Sequence, residues 1–318
     1  MLQTRESEVV ASVHQILDQV RRVVAGKDEA LLWVLAALLS GGHILLEDVP
    51  GVGKTTMALS FARALDLEYG RVQFTPDVLP SDVTGYSVPD GGGNMTYRPG
   101  GILCNLFLAD ELNRATSRTQ SALLEAMEEG QVTVDGVTHP LPRPFMVLAT
   151  QNPVDFVGTY PLPEAQMDRF FLRITIGYPS IEEEMDVLER YSGQASPLSS
   201  LQSVCGAGDV VAMQELVGAV YCSREVRAYV AQLAALTRKH PALALGVSPR
   251  GAIALIRAAQ GCAVLAGRDY ILPDDVKRMA LPVLSHRLIL TPEARMKGQS
   301  AQQILLGLLS SVPVPGAQ

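Results

Sequence analysis

The sequence is short of cysteine, of aromatic residues and of positive charge. Its 318 residues include four cysteines, one tryptophan and 5% aromatic residues, and the formal net charge is -7. The cysteines lie far apart, without the spacing of metal ligands, so reduced thiols in a cytosolic protein are the default expectation. An acidic chain has no overall cationic surface for DNA or RNA, so nucleic acid binding is not supported.

Long apolar runs are also missing. The first eight residues, MLQTRESE, are polar and acidic, where a signal peptide would need to lead into an apolar core. The apolar stretches 30–39 and 252–267 fall short of the ~20 residues that cross a bilayer. We therefore expect no membrane insertion and a cytoplasmic location.

A glycine-rich turn between an apolar run and a helix is the most informative segment. Residues 44–46 are typical of a strand buried on both faces. Gly51 and Gly53 then allow the backbone N–H groups to surround an anion at the helix N-terminus. Lys54 adds positive charge beside the terminal phosphates, and the Thr55 hydroxyl is suited to Mg²⁺. The segment predicts a phosphate-binding loop that also includes Val52 and Thr56.

The phosphate loop departs from the general pattern at one position. That pattern asks for glycine at residue 48, and this chain has Asp48. Gly51, Gly53, Lys54 and Thr55 carry the phosphate chemistry, whereas residue 48 only shapes the entry to the loop. The functional interpretation therefore stands despite the mismatch.

Two further apolar runs end in polar residues suited to the same site. The run 102–109 ends in Asp110 and Glu111, and the run 145–150 is followed by Gln151 and Asn152. Carboxyl ends of parallel strands meet at one edge of a sheet. Asp110 is then predicted to hold Mg²⁺ through water and Glu111 to act as general base, while Asn152 orients water or contacts phosphate.

Two hairpins and a change of pattern complete the organisation. Residues 77–101 are rich in proline and glycine and predict a hairpin insert, and Asp135-Gly136 predicts a second hairpin turn within 131–139. We expect an α/β fold in which a nucleotide-binding core, 1–182, contains that insert. A linker at 183–208 and an all-helical domain at 209–318 follow.

These motifs together resemble the MoxR family of AAA+ ATPases over nearly the full length. The segments that carry the resemblance, in chain order, are EDVPGVGKT (47–55), LADELNR (108–114), ATQN (149–152), EAQMDRF (164–170) and GVSPR (246–250). The resemblance implies an αβα sandwich with a parallel sheet, followed by a small helical lid domain. Asp48 is normal for this family.

The resemblance also implies roles for individual residues. Asn152 would be sensor 1, Arg250 the sensor 2 arginine acting on the nucleotide of its own subunit, and Arg169 the arginine finger reaching a neighbour's nucleotide. Gly26 and Lys27 would lie near the adenine. The implied cofactors are ATP and Mg²⁺.

The implied function is an ATPase that assembles as a homo-hexamer and matures or activates other protein complexes. A partner with a von Willebrand factor A domain is implied in the same way, and the client stays open. Two alternatives remain: a nucleic-acid-dependent motor, disfavoured because Arg98 is the only basic residue in 77–101, and a nucleotide-gated binding module with little hydrolysis. The presence of both Glu111 and Arg169 argues against the latter.

Overall fold

The structure, a computed structural model, describes residues 2–92, 94–152, 158–192 and 196–315. Gly93 of the predicted insert turn, Pro153 after the Asn152 motif and residues 193–195 of the predicted linker lie outside the described residues. The strands are β1 (Ile44–Glu47), β2 (Tyr69–Gln73), β3 (Gly85–Pro89), β4 (Met95–Pro99), β5 (Leu106–Asp110), β6 (Gln131–Val134), β7 (Val137–Pro140), β8 (Met146–Gln151), β9 (Leu172–Ile174), β10 (Leu243–Leu245) and β11 (Ile289–Leu290).

Thirteen α-helices are formed within the described ranges. They are α1 (Leu2–Arg21), α2 (Asp28–Leu39), α3 (Lys54–Ala64), α4 (Pro80–Thr84), α5 (Ser117–Glu129), α6 (Glu164–Met167), α7 (Ile181–Tyr191), α8 (Ala207–Ala219), α9 (Arg224–Lys239), α10 (Pro249–Leu265), α11 (Pro273–Leu284), α12 (Pro292–Met296) and α13 (Ala301–Ser311). Among these helices, none combines the length and apolar character that crossing a bilayer requires.

A five-stranded parallel sheet is the centre of the core. Its strand order is β2-β5-β8-β1-β9, so β1 lies between β8 and β9 and β5 lies between β2 and β8. Strands β1, β5 and β8 are buried except at their last residues, as expected for strands covered on both faces. The predicted α/β class, a parallel sheet with helices that is followed by a largely helical region, is present.

Both predicted hairpins are present. Strands β3 and β4 pair antiparallel within the insert, and β6 and β7 pair on either side of Asp135-Gly136. Asp135 has φ 49° and Gly136 has φ 80°, and a type I′ turn requires positive φ at both central residues. The local turn chemistry is therefore sufficient to explain the second hairpin.

The segment between core and lid is more ordered than its composition indicates. Helix α7 extends into the predicted linker 183–208, and Ser180 and Glu183 form a capping box at its start. None of its residues is buried, and Ile181, Met185 and Leu188 are exposed apolar side chains on one stripe. The boundaries of the core and lid domains stay predictions.

The lid helices pack on α1 and α2 rather than standing apart from the core. Buried residues of α2, α8 and α10 belong to one apolar cluster. Gln214 Nε2 donates to Leu38 O at 2.7 Å, and Ser40 Oγ donates to Arg257 O at 3.2 Å. This packing fixes how the lid is oriented relative to the sheet.

Candidate functional site

The phosphate loop has the conformation of an anion cradle. Gly51 and Gly53 both have φ 88°, a region that L-residues rarely adopt, and a Cβ at either position would meet no atom within 4 Å. Gly53 caps α3, which begins at Lys54. The first turn of α3 also carries Thr55 and Thr56. The backbone N–H groups of this first turn have no partner within the helix, and the space in front of them is open to an anion.

Asp48 anchors the entry to this loop. Its carboxylate accepts hydrogen bonds from the backbone N–H of Ile176 and, at 3.0 Å, from that of Gly177. Its backbone carbonyl accepts from Lys54 Nζ at 2.8 Å. Asp48 therefore joins the loop to the chain leaving β9, a role that glycine could not fill.

The two predicted carboxylates follow β5 at the same edge of the sheet. Thr150 Oγ1 donates to Asp110 Oδ1 at 2.7 Å and accepts from Glu111 N at 2.8 Å. Arg71 Nη2 also donates to Asp110 Oδ2 at 2.7 Å. Thr150, which sequence reasoning did not single out, fixes both the Asp110 carboxylate and the Glu111 backbone, the predicted metal ligand and the predicted general base.

Glu111 has a strained backbone and an ion-paired side chain. Its φ of 58° lies in the left-handed region, which is uncommon for a residue with a side chain. Its Oε2 lies 3.0 Å from Arg114 Nε, so the two side chains form an ion pair. The ion pair fixes one oxygen of the carboxylate and leaves Oε1 for another contact.

The Lys54 ammonium lies within the electrostatic reach of these carboxylates. Burial lowers the pKa of Lys54, while the negative charge of Asp48 opposes that shift. Asp110 and Glu111 oppose it more weakly. The sequence motifs of β1 and β5 therefore converge on one place.

Asn152 and the Gly26-Lys27 segment flank the cradle. Asn152 is buried directly after β8, next to the end of β1, and its backbone carbonyl accepts from Asn113 Nδ2 at 3.3 Å. Lys27 Nζ donates to Tyr178 O at 3.1 Å and lies 3.6 Å from Glu183 Oε2. Gly26 has φ 65° and is covered by the Glu183 side chain, so α7 closes this side of the site.

Arg169 and Arg250 lie together, held by the same carboxylate. Glu128 Oε2 is 3.1 Å from Arg169 Nε, and Glu128 Oε1 accepts from Arg250 Nη2. Glu128 stands near the end of α5, whose Met127 carbonyl accepts from His43 Nε2 at 3.1 Å. His43 directly precedes β1, so this arginine pair lies at the amino-terminal edge of the sheet.

The position of Arg250 bears on the role expected for it. The phosphate loop follows the carboxyl end of β1, whereas Arg250 lies beyond its amino end, about 15 Å away at ~3.3 Å per strand residue. Arg250 was expected to act on the nucleotide of its own subunit. In this structure it lies near the opposite end of β1 from that cradle, and it shares the Glu128 carboxylate with Arg169, the residue expected to reach a neighbour.

Arg287 is a further residue that sequence reasoning missed. It is buried, and its Nε donates to Asp168 Oδ1 at 2.7 Å while Nη2 donates to Phe170 O at 2.8 Å. Through these bonds, the lid is attached to the segment that carries Arg169. A lone arginine inside the apolar run 279–290 was the available signal, since a buried charge requires a partner.

The residues at the cradle fit a nucleotide with Mg²⁺. Magnesium commonly takes one or two protein ligands and completes its shell with phosphates and water. Thr55 and Asp110 would supply these ligands, and the described residues contain no group of three or more His, Cys, Asp or Glu side chains arranged for a metal ion.

Known proteins share both the core and the lid. Residues 43–172 match the model of the ATPase family associated with various cellular activities (AAA), and residues 235–306 match the AAA lid domain. A crystal structure of a candidate ATPase from Cytophaga hutchinsonii superimposes with a TM-score of 0.93 at 38% identity and covers 98% of both chains. The fold and the site thus define an AAA ATPase with its lid.

The similarity to named relatives is more specific. The chain is 39% identical over 320 residues to Chaperone MoxR1 of Mycobacterium tuberculosis, covering 96% of this chain and 84% of that one. It is 49% identical over 300 residues to the uncharacterised protein YeaC of Bacillus subtilis, covering 94% and 93% of the two chains. The chain belongs to the MoxR family of AAA+ ATPases.

Proposed function

We propose that this chain is a Mg²⁺-dependent ATP hydrolase whose sites are completed between subunits of a homo-hexameric ring. The observation that carries the proposal is the distance between two groups of residues that the reaction requires. The nucleotide cradle lies at the carboxyl edge of the sheet, and the pair Arg169 and Arg250 lies at the amino edge. Since one subunit cannot bring these together, a second subunit would supply the arginines.

Each residue of the cradle has a chemical task in this proposal. The N–H groups around Gly51 and Gly53 would bind phosphate oxygens. The Lys54 ammonium would leave the Asp48 carbonyl, which it contacts in this structure, and would also bind a phosphate oxygen. Bound Mg²⁺, held by Thr55 and Asp110, would neutralise charge on the phosphates. The protein groups around it would orient the reactants.

The water that attacks the terminal phosphate would be oriented by Asn152 and lose its proton to Glu111. Glu111 is ion-paired with Arg114 through Oε2 in this structure, which leaves Oε1 for the water. Arg169 and Arg250 of the neighbouring subunit would stabilise the charge on the transferred phosphoryl group. Because Arg250 stands on the lid, hydrolysis in one subunit would move the lid of the next.

The proposed role is chaperone-like remodelling or activation of partner protein complexes. Its support is membership of the MoxR family and the description of the Mycobacterium relative as a chaperone. A partner with a von Willebrand factor A domain is proposed from the family resemblance. The four cysteines are free thiols, which supports a cytoplasmic setting.

Steady-state ATP turnover against protein concentration, with sizing in the presence of ATP, tests the shared site. We expect turnover to rise with concentration and to follow a ring-sized species. Glu111→Gln and Arg169→Ala should each lower turnover at least about tenfold. The exposed Arg227 of α9 provides a matched control, and Arg227→Ala should behave as wild type.

Turnover that is independent of concentration and of Arg169 would contradict the shared site. The chain would then be a nucleotide-gated binder or would require its partner to assemble. A salt-sensitive stimulation of turnover by DNA would favour the nucleic-acid motor instead.

A further inference from the structure

Glu128 contacts both arginines that the proposed reaction requires. One carboxylate oxygen pairs with Arg169 of the core, and the other pairs with Arg250 of the lid. The Arg169 contact is made through Nε, so its two terminal nitrogens are available for another anion. Arg250 is bound through Nη2, which leaves its Nη1 and Nε.

These three side chains form an incomplete anion receptor. Two guanidinium groups and one carboxylate leave one net positive charge. With the residues that the structure describes, the other N–H groups of both arginines make no hydrogen bond or ion pair. The side chains are 32% exposed for Arg169 and 55% exposed for Arg250, so an incoming phosphate can reach both.

The position of Glu128 in its helix is locally unfavourable. A carboxylate in the last turn of α5 faces the negative end of the helix dipole. The end of α5 is nevertheless fixed, because the Met127 carbonyl is hydrogen-bonded to His43, which also accepts from Val147 N at 3.0 Å. Glu128 is therefore a charge on a rigid support, offset by two arginines from other elements.

We propose that Glu128 is a positioning residue that aligns Arg169 and Arg250 as one receptor for the terminal phosphate of the nucleotide on a neighbouring subunit. The inference rests on the proposed shared-site function. Without the carboxylate, two guanidinium groups would repel each other, and the lid arginine would lose its contact with the core. Arg250 and Arg169 could then no longer contact the same phosphate together.

The first test separates positioning from structure. Glu128→Gln keeps the shape of the side chain and removes its charge, and we expect kcat to fall about tenfold while the nucleotide KM stays within about twofold. Glu128→Asp, which keeps the charge, should recover part of the rate. Glu125→Gln changes an exposed glutamate about one turn earlier in α5 and should match wild type.

A combined variant shows whether Glu128 acts through the arginines. If it does, adding Glu128→Gln to a variant that already carries Arg169→Ala and Arg250→Ala should cause no further loss of turnover. Multiplied losses would show that Glu128 acts elsewhere and would overturn the proposal, as would wild-type turnover in Glu128→Gln. A faster Glu128→Gln would also overturn it, since the carboxylate would then restrain the arginines rather than align them.

Mixing variants tests which half of the shared site Glu128 belongs to. A Glu128→Gln subunit keeps its nucleotide cradle, and a Glu111→Gln subunit keeps its arginines. In an equal mixture, about a quarter of the interfaces should therefore combine an intact cradle with intact arginines. The turnover of the mixture should exceed the average turnover of the two variants measured alone. Glu128→Gln mixed with Arg169→Ala should give no such gain, because both lack the donated half. A gain in this second mixture would place Glu128 on the cradle side and refute the inference.

The same mixtures distinguish this proposal from the one it rests on. If Glu111→Gln and Arg169→Ala complement each other, the shared site stands whatever Glu128 does. If they do not, and Arg169→Ala alone matches wild type, the shared site itself fails, and with it the role of Glu128.

Discussion

The aspartate that stands where the general phosphate-loop pattern has glycine should stabilise this protein. Asp48 accepts two backbone hydrogen bonds from the chain leaving β9, and it is 5% exposed. Asp48→Gly would restore the general pattern but leave both N–H groups without their acceptor. At about 1–3 kcal/mol for each unpaired donor, we expect a loss of about 4 kcal/mol.

The loss should be visible in thermal unfolding and in nucleotide binding. About 4 kcal/mol corresponds to a fall of roughly 8 °C in the unfolding midpoint, taking about 2 °C per kcal/mol for a chain of this size. Nucleotide affinity should fall as well, because the entry to the phosphate loop would no longer be tied to the backbone of Ile176 and Gly177. Differential scanning fluorimetry and titration with a fluorescent ATP analogue would measure both effects.

Graded variants and a control sharpen the Asp48 experiment. Asp48→Asn should fall between wild type and Asp48→Gly, because an amide keeps one acceptor oxygen but turns an NH₂ group toward a donor. Asp77→Ala, at an exposed site, should leave both measurements unchanged. A midpoint for Asp48→Gly within about 2 °C of wild type would refute the hydrogen-bond argument.

Two further predictions concern residues that the sequence motifs did not single out. His43 should contribute a fall of about 3 kcal/mol in the unfolding free energy between pH 6.5 and pH 4, because burial lowers its pKa from 6.5 to about 4 in the folded state while the unfolded chain takes up the proton. Burial also lowers the pKa of His286, which adds to the fall in the same direction. His43→Gln should flatten this part of the pH profile in denaturant titrations, and an unchanged slope would contradict the assignment. Thr150→Val should lower turnover about tenfold by releasing Asp110 and leaving the Glu111 N–H unpaired, with Thr138→Val as an exposed control. Equal turnover in the two threonine variants would contradict that role.

Much of the cradle was predictable because its determinants are local. The apolar run of β1, the glycines that follow and the carboxylates after β5 lie within short segments, and each acts through its own backbone conformation. The hairpin at Asp135-Gly136 is predictable for the same reason. Local signals of this kind do not depend on how distant parts of the chain pack.

The arrangement of the arginines could not be predicted because it is set by contacts between distant segments. The lid orientation depends on Arg287 gripping residues 168–171 and on Gln214 contacting Leu38, both more than 100 residues apart in sequence. The sequence therefore did not reveal that Arg250 shares the Glu128 carboxylate with Arg169, and the role of Arg250 stays a prediction. Glu128 offered only a weak signal, an acidic residue at a helix end that disfavours it.

The two ends of a parallel strand are different, and in this protein each end of β1 lies near one of the two residue groups of the proposed site. The cradle follows the carboxyl end of β1, and the paired arginines lie beyond its amino end. Under the proposed arrangement, a subunit would respond to the nucleotide of one neighbour and remain insensitive to that of the other. The direction of the strand within each subunit would thereby make communication around a closed ring run in one direction, from each subunit to only one of its two neighbours.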